Sequence, residues 1–222
     1  MNKLLNTLFV LAVASVTAHA QAPAAPAKPA VASIESRVAM CVGCHGIPGY
    51  QSSFPEVHRV PMISGQNAKY IAAALNAYKT GERKHPTMRG IAETLTEQDI
   101  ADISAYYEKH AGTAGGGAKT VREPSPQVAA LLQKAACASC HGADYSKPID
   151  PSYPKIAGQH SDYLFVALKS YKATNTANNV GRTNGVMGAI AKQFTQAELK
   201  ALSGYIGSLE GDLRTRPDPK FR

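Results

Sequence analysis

The sequence predicts an all-α chain of two tandem domains, and three observations carry that prediction. Apolar residues recur at helical spacing in several windows, and no window shows the alternation of a half-buried strand. The second half of the chain repeats the first, with a Gly-rich stretch between them. Composition is that of an ordinary globular protein, 44% hydrophobic and 18% charged over 222 residues, which excludes a disordered or collagen-like chain. With 18 Gly, 14 Pro and no Trp, short elements joined by many turns are expected.

The N-terminus reads as a targeting segment. Lys3 supplies a positive start, residues 4–16 are dominated by Leu, Val and Ala, and Ala18-His19-Ala20 places small residues at the positions a signal peptidase reads. This predicts a signal peptide over residues 1–20 with cleavage after Ala20. The run is shorter than the roughly 20 apolar residues that cross a bilayer, and no later segment is longer, so no transmembrane span is expected in the mature chain. Residues 21–32 alternate Ala with Pro and predict an extended lead-in.

The repeat organises the rest. Cys41-Val42-Gly43-Cys44-His45-Gly46 recurs as Cys137-Ala138-Ser139-Cys140-His141-Gly142. Residues 61–79 align with 154–172, and nine of the 19 positions are identical. Residues 88–106 align with 187–205. So long a period marks domains with their own cores rather than solenoid units: residues 33–110 and 126–210, a linker at 111–125 and a basic tail at 211–222.

Within each half the helices follow in order. Residues 33–41 and 126–137 are apolar at helical spacing, the second with Ser125 as cap and Pro126 at the first helical position. Residues 66–80 and 159–173 form the next helix. The third opens with Thr96 followed by Asp99, and Thr195 followed by Glu198, each a capping box. Leu95 with Ile100 and Phe194 with Leu199 are spaced to close hydrophobic staples. The last helix is expected to end at Gly211, which tolerates a left-handed cap.

Cys-x-x-Cys-His is the pattern of covalent c-type haem attachment. Residues three apart share one helix face, so two thiols can add to the vinyl groups on one edge of a porphyrin. The adjacent His45 or His141 then faces the iron. The other readings fit less well. A zinc site wants Cys pairs about 12–20 residues apart, whereas these lie almost a hundred apart. A thioredoxin-like pair needs a βαβ setting. Structural disulfides remain open in an exported chain, but they give no reason for a His after each second Cys. Two haem c groups are therefore expected, attached at Cys41, Cys44, Cys137 and Cys140.

A second axial ligand decides between carrier and catalyst. Met40 adjoins the attachment helix and cannot reach over the ring, and Met62 faces Lys155 in the repeat. Met88 and Met187 are matched, each seven residues before Leu95 or Phe194 in a turn-rich segment. They are the predicted partners of His45 and His141. His58, His85, His110 and His160 are the rivals and are read as solvated loop residues. His85 is the most serious of them, but its repeat position holds Asn184. A thioether favours ferrous iron, so two low-spin haems of moderately positive potential are expected. The recurring tyrosines, Tyr70 with Tyr163, Tyr78 with Tyr171 and Tyr106 with Tyr205, are read as packing around the ring, or as phenols bonding a propionate or the backbone. Gln66 and Gln159 open their helices and are read as structural.

On these residues the chain resembles the dihaem cytochromes c4, two fused cytochrome c domains of bacterial periplasms. The likeness covers residues 33–210. It rests on the paired Cys motifs, on Pro61-x-Ile63-Ser64-Gly65-Gln66 with Pro154-x-Ile156-Ala157-Gly158-Gln159, and on the Met88 and Met187 segments. The resemblance implies the attachment and ligand roles above, and a periplasmic location. It further implies that the carbonyls of Pro61 and Pro154 orient the proximal imidazoles, and that single electrons pass from a quinol-oxidising complex towards a terminal oxidase. It supplies no role for the basic tail. The haem subunit of a flavocytochrome c sulfide dehydrogenase is also similar. A dihaem oxidoreductase acting on a small substrate such as thiosulfate or peroxide is the enzymatic alternative, and the paired methionines argue against it.

Charge is unevenly divided. Residues 33–110 carry eight basic and eight acidic side chains, whereas residues 125–222 carry 12 and seven. Arg214, Arg216, Lys220 and Arg222 contribute heavily to that excess. A solvated surface is one reading. The other is a basic rim for an acidic redox protein or a membrane oxidase or reductase complex, steered by charge. Nucleic acid is not an expected partner of an exported haem protein.

Overall fold

Each half is arranged around the helix that follows its Gly-Gln pair. In the computed structural model, residues 33–111, 122–173 and 180–217 are described. The expected signal peptide and lead-in, most of the expected linker, and Lys220 and Arg222 of the tail lie outside the described residues. In the first half α1 (Ile34–His45) is capped by the Ser33 hydroxyl, which accepts from the Ser36 N–H, and it runs unbroken through the Cys motif. Then come β1 (Gln51–Ser52), β2 (His58–Arg59), α2 (Ala68–Thr80), β3 (Arg83–Lys84), α3 (Pro86–Glu93) and α4 (Glu97–Lys109). The second half has α5 (Pro126–Ala135), α6 (Ala138–His141), α7 (Ser161–Lys172), β4 (Gly181–Arg182), α8 (Gly185–Lys192) and α9 (Gln196–Ser208).

The packing repeats as the sequence does. α2 packs on α3 and α4, and α7 packs on α8 and α9, while α1 lies on α4 and α5 on α9. Both capping boxes form at Thr96–Asp99 and Thr195–Glu198. Both staples close: Leu95 and Ile100 sit in the first core with Val38, Ile71, Leu75, Ile103 and Tyr107. Phe194 and Leu199 sit in the second with Ala135 and Leu202. Burying each such side chain is worth about 1.5–3 kcal/mol, which secures the helices behind the Cys motifs.

Four features depart from expectation. The segments around Met88 and Met187 are short helices, not turns; eight residues are too few for periodicity to reveal them. The helix expected over 126–137 breaks at Ala136, which takes a left-handed φ of 48°, so the second Cys motif lies on the separate one-turn helix α6. The last helix stops at Ser208, short of Gly211. That glycine is needed for a different reason, since a Cβ there would lie 1.9 Å from the Ala157 carbonyl oxygen. Finally, two short antiparallel pairs occur, β1 with β2 and β3 with β4.

The β3–β4 pair joins the two halves, with Arg83 opposite Arg182 and the Thr183 N–H donating to the Glu82 carbonyl at 2.7 Å. The halves are further tied by Arg59 on Asp162 at 3.0 Å, by the Glu56–Lys169 ion pair, and by Lys155 Nζ donating to the Gly65 carbonyl at 2.8 Å. The tail returns to the first half as a strap. Leu213 is buried, and the Arg214 N–H donates to the Ser64 carbonyl at 3.0 Å. Gly65, at φ 86°, lies under this strap, where a Cβ would meet the Asp212 carbonyl at 2.6 Å. Among the described residues no helix is long and apolar enough to cross a membrane.

Candidate functional site

The two Cys motifs open onto one continuous cavity of about 640 Å³, lined from both halves by Cys41, Cys44, His45 and Met88 and by Cys137, Cys140, His141 and Met187. All eight predicted site residues therefore face a common space. The four cysteines are free thiols, as thioether attachment requires. Burial pushes the Cys41 and Cys137 thiols up, the opposite of the activation a thioredoxin-like pair requires. Among the described residues no three His, Cys, Asp or Glu side chains converge to hold a bare metal ion.

The imidazoles are oriented alike. His45 Nδ1 lies 2.7 Å from the Pro61 carbonyl oxygen, and His141 Nδ1 lies 2.9 Å from that of Pro154. A carbonyl only accepts, so each Nδ1 carries the proton and each Nε2 keeps its lone pair for a metal. Burial holds both imidazoles below their ordinary pKa, with the carbonyl bond opposing it. The neutral, ligating form therefore prevails.

Met88 and Met187 occupy the third position of α3 and α8, and each is held by the residue capping its helix. The Met88 N–H donates to His85 Nδ1 at 3.4 Å, and the Met187 N–H donates to Asn184 Oδ1 at 2.9 Å. This explains why His85 aligns with Asn184: both are N-caps. His85 is thus a helix cap rather than a simple solvated histidine. His58 is also misread from sequence. It is only 4% exposed, its Nδ1 is bonded to the Glu56 carbonyl at 2.7 Å, and its ring lies 6.2 Å from that of Tyr163. The His110 ring lies 4.0 Å from that of Tyr106, and His160 stands at the N-cap position of α7 without a side-chain capping bond.

The tyrosines divide. Tyr205 bonds the Arg122 carbonyl at 3.0 Å, whereas Tyr70 and Tyr78 surround Arg83, and Tyr163 and Tyr171 surround Arg182. These two arginines were not singled out from the sequence. The signal was present, because each lies five residues before its half's methionine in the repeat register. Gln66 and Gln159, both 4% exposed, do more than open helices: each carboxamide bonds the backbone of the other half. Arg214 does not extend a basic rim, since its guanidinium donates to the Gly211 and Leu213 carbonyls at 2.6 and 2.7 Å.

The site fits a haem in each half. Free thiols, a neutral imidazole and a thioether share an apolar cavity, and Arg83 Nε is buried there without an acceptor among the described residues, an open position for an anionic group. Tandem helical halves with this site define a dihaem c-type cytochrome. The cytochrome c family matches residues 36–110 and 127–210. Cytochrome c4 of Pseudomonas aeruginosa is 29% identical over 94% of this chain and 100% of its own length. The crystal structure of reduced recombinant cytochrome c4 from Pseudomonas stutzeri superposes with a TM-score of 0.58 at 27% identity, covering 80% of this chain and 97% of that one. The thiosulfate dehydrogenase electron acceptor of Stutzerimonas stutzeri is 24% identical over 76% of this chain and 78% of its length. The chain belongs to the cytochrome c family, with two of its domains in tandem, and is similar over almost its whole length to the cytochromes c4. It carries two covalently attached haem c groups and transfers electrons.

Proposed function

We propose that the chain is a periplasmic electron carrier in which Cys41 and Cys44 tether one haem and Cys137 and Cys140 the other. His45 with Met88, and His141 with Met187, are the axial ligands. The observation that carries this reading is that each methionine lines the same cavity as the Cys motif of its half, on matched helices with matched caps. Bound haem supplies one-electron cycling between ferric and ferrous iron. The chain's part is to hold each imidazole by a proline carbonyl, present a soft sulfur opposite it, and exclude water with apolar walls. A soft neutral ligand raises the potential, and with both axial positions taken by protein atoms no substrate position remains.

Exposed Lys134, Lys147, Lys192 and Lys200 of the second half support an acidic redox protein or a membrane oxidase or reductase complex as partner. A second donor is favoured by the likeness to the thiosulfate dehydrogenase electron acceptor: a sulfur-compound dehydrogenase, served by this chain as carrier rather than as its catalytic subunit. Carbon monoxide added to the reduced holoprotein, and cyanide added to the oxidised one, test the reading. Unchanged spectra on the timescale of mixing are expected. Rapid ligand binding at either haem would make the dihaem oxidoreductase the better account.

A further inference from the structure

The tail of the second half reaches the histidine of the first. Gly211 lies against the Ala157 carbonyl, and the Asp212 carbonyl lies against Gly65. The strap thus crosses the matched pairs Ala157-Gly158 and Ser64-Gly65 in turn. Leu213, 1% exposed, anchors it. Arg214 pairs with Ser64 as an antiparallel bridge, its N–H donating to the Ser64 carbonyl at 3.0 Å. Beyond that bridge the strap reaches Gly46, where a Cβ would meet the Arg216 carbonyl at 3.0 Å as well as its own helix at Val42. Gly46 directly follows His45, and Ser64 lies three residues after Pro61, whose carbonyl is 2.7 Å from His45 Nδ1. The strap therefore touches the chain beside both partners of that hydrogen bond.

The second half supports its own imidazole from within. The Tyr145 carbonyl accepts from the Ile156 and Ala157 N–H groups at 2.8 and 3.1 Å, which holds the segment carrying Pro154. A Cβ on Gly142, which follows His141, would lie 2.0 Å from the Lys147 carbonyl oxygen. In the first half the segment after Pro61 is held from across the junction, at Met62 by Gln159, at Ser64 by Arg214 and at Gly65 by Lys155. The Gln contacts are reciprocal, since Gln66 holds Lys155 in return. The strap has no counterpart on the second half among the described residues.

We propose that residues 212–217 are a positioning element for the first haem alone: they fix the Pro61 carbonyl against His45 and so set the donor strength of that imidazole. This rests on the haem placement proposed above. A hydrogen bond from Nδ1–H to a carbonyl raises the basicity of the ligating nitrogen, and a more basic ligand favours ferric iron. Slackening the strap makes His45 a poorer donor and raises the midpoint potential of its haem. His141 and its haem are left as they were.

The test follows solvent exchange of the His45 and His141 Nδ1–H protons by NMR of the reduced full-length holoprotein, beside spectroelectrochemistry with each midpoint assigned to its haem. Arg214→Pro deletes the N–H that Ser64 accepts. Arg214→Ala keeps it and removes only the guanidinium, so it is the control. Relative to that control, Arg214→Pro is expected to speed exchange at His45 about tenfold, the weight of one backbone hydrogen bond, and to raise the first midpoint. Exchange and midpoint at the His141 haem should not move. A chain ending at Gly211 is expected to show the same changes, enlarged. Lower thermal stability with His45 exchange and both midpoints unaltered would make the strap a fastening of the fold only, and the proposal would fail. A fall in the first midpoint, or equal changes at both haems, would overturn it too. Should Arg214→Pro not mature to a dihaem protein, Leu213→Ala, which loosens the strap without deleting a backbone N–H, is read by the same criteria. A wild type without two ligated-histidine Nδ1–H signals would instead defeat the haem placement itself.

Discussion

The carboxamide of Gln159 is bonded twice to the backbone of Met62: its Nε2 donates to the Met62 carbonyl at 2.9 Å, and its Oε1 accepts from the Met62 N–H at 3.0 Å. Gln66 does the same to Lys155, at 3.0 and 2.9 Å. The two halves are therefore clasped reciprocally, by matched residues on matched positions. Truncating either Gln strands a part-buried N–H and a part-buried carbonyl, at a cost of at most about 1–3 kcal/mol for each unsatisfied group. Gln66→Ala and Gln159→Ala are each expected to lower the denaturation midpoint of the holoprotein. Gln→Glu is expected to destabilise as well, because a carboxylate cannot donate to the carbonyl. Unchanged midpoints for both Ala variants would show that the clasp contributes nothing.

The capping role of His85 yields a second expectation. Asn184 fills the same position before Met187, so His85→Asn should preserve α3 and the Met88 band. His85→Ala should cost about 1 kcal/mol of stability, as loss of an N-cap does, and weaken the Met–iron absorption of one haem. If His85→Ala matched the wild type in both readouts, the N-cap would not be positioning Met88.

Acid sensitivity follows from the two capping boxes. The hydrogen bond from the Thr96 hydroxyl holds the Asp99 carboxyl below its ordinary value, and the Thr195 backbone N–H does the same for Glu198. A carboxyl depressed in the folded chain adds stability that is complete above its unfolded value of about 4 and is lost as pH falls through the folded value. Asp99→Asn and Glu198→Gln should therefore flatten the decline of stability with falling pH below about 4. Parallel slopes for variant and wild type would contradict this.

The charge asymmetry predicts salt dependence. Electron exchange with an acidic redox partner should slow as ionic strength rises, and Lys192→Glu or Lys200→Glu should reduce both the rate and its salt slope. Stopped-flow mixing at several salt concentrations checks it, and a flat profile in the wild type would remove the basic rim as a docking feature.

Most of the site was legible because it is local chemistry duplicated in register. The Cys motifs, the Met88 and Met187 positions and the Thr96 and Thr195 boxes each depend on neighbours a few residues away, and the repeat checks one half against the other. What was not legible depends on the other half of the fold. Gln66 reads as a helix-opening residue because its partner, Lys155, is 89 positions away. Arg83 reads as one more surface charge until β3 pairs with β4. Arg214 reads as part of a basic rim until the strap folds its guanidinium onto its own carbonyls. The α3 and α8 helices were hidden for another reason: eight residues opened by His85-Pro86 or Asn184-Gly185 carry turn residues and too little periodicity.

The central claim is that each half holds one haem saturated from both sides, by His45 and Met88 and by His141 and Met187. A spectroscopic redox titration of the processed protein, produced in a host that matures c-type cytochromes, tests it most directly when run beside Met88→Ala and Met187→Ala. The account predicts two haems per chain in the wild type. Each single variant should lose the Met–iron charge-transfer band of one haem and show one lowered midpoint potential. A wild type with fewer than two haems, or variants whose bands and potentials match it, would contradict the account.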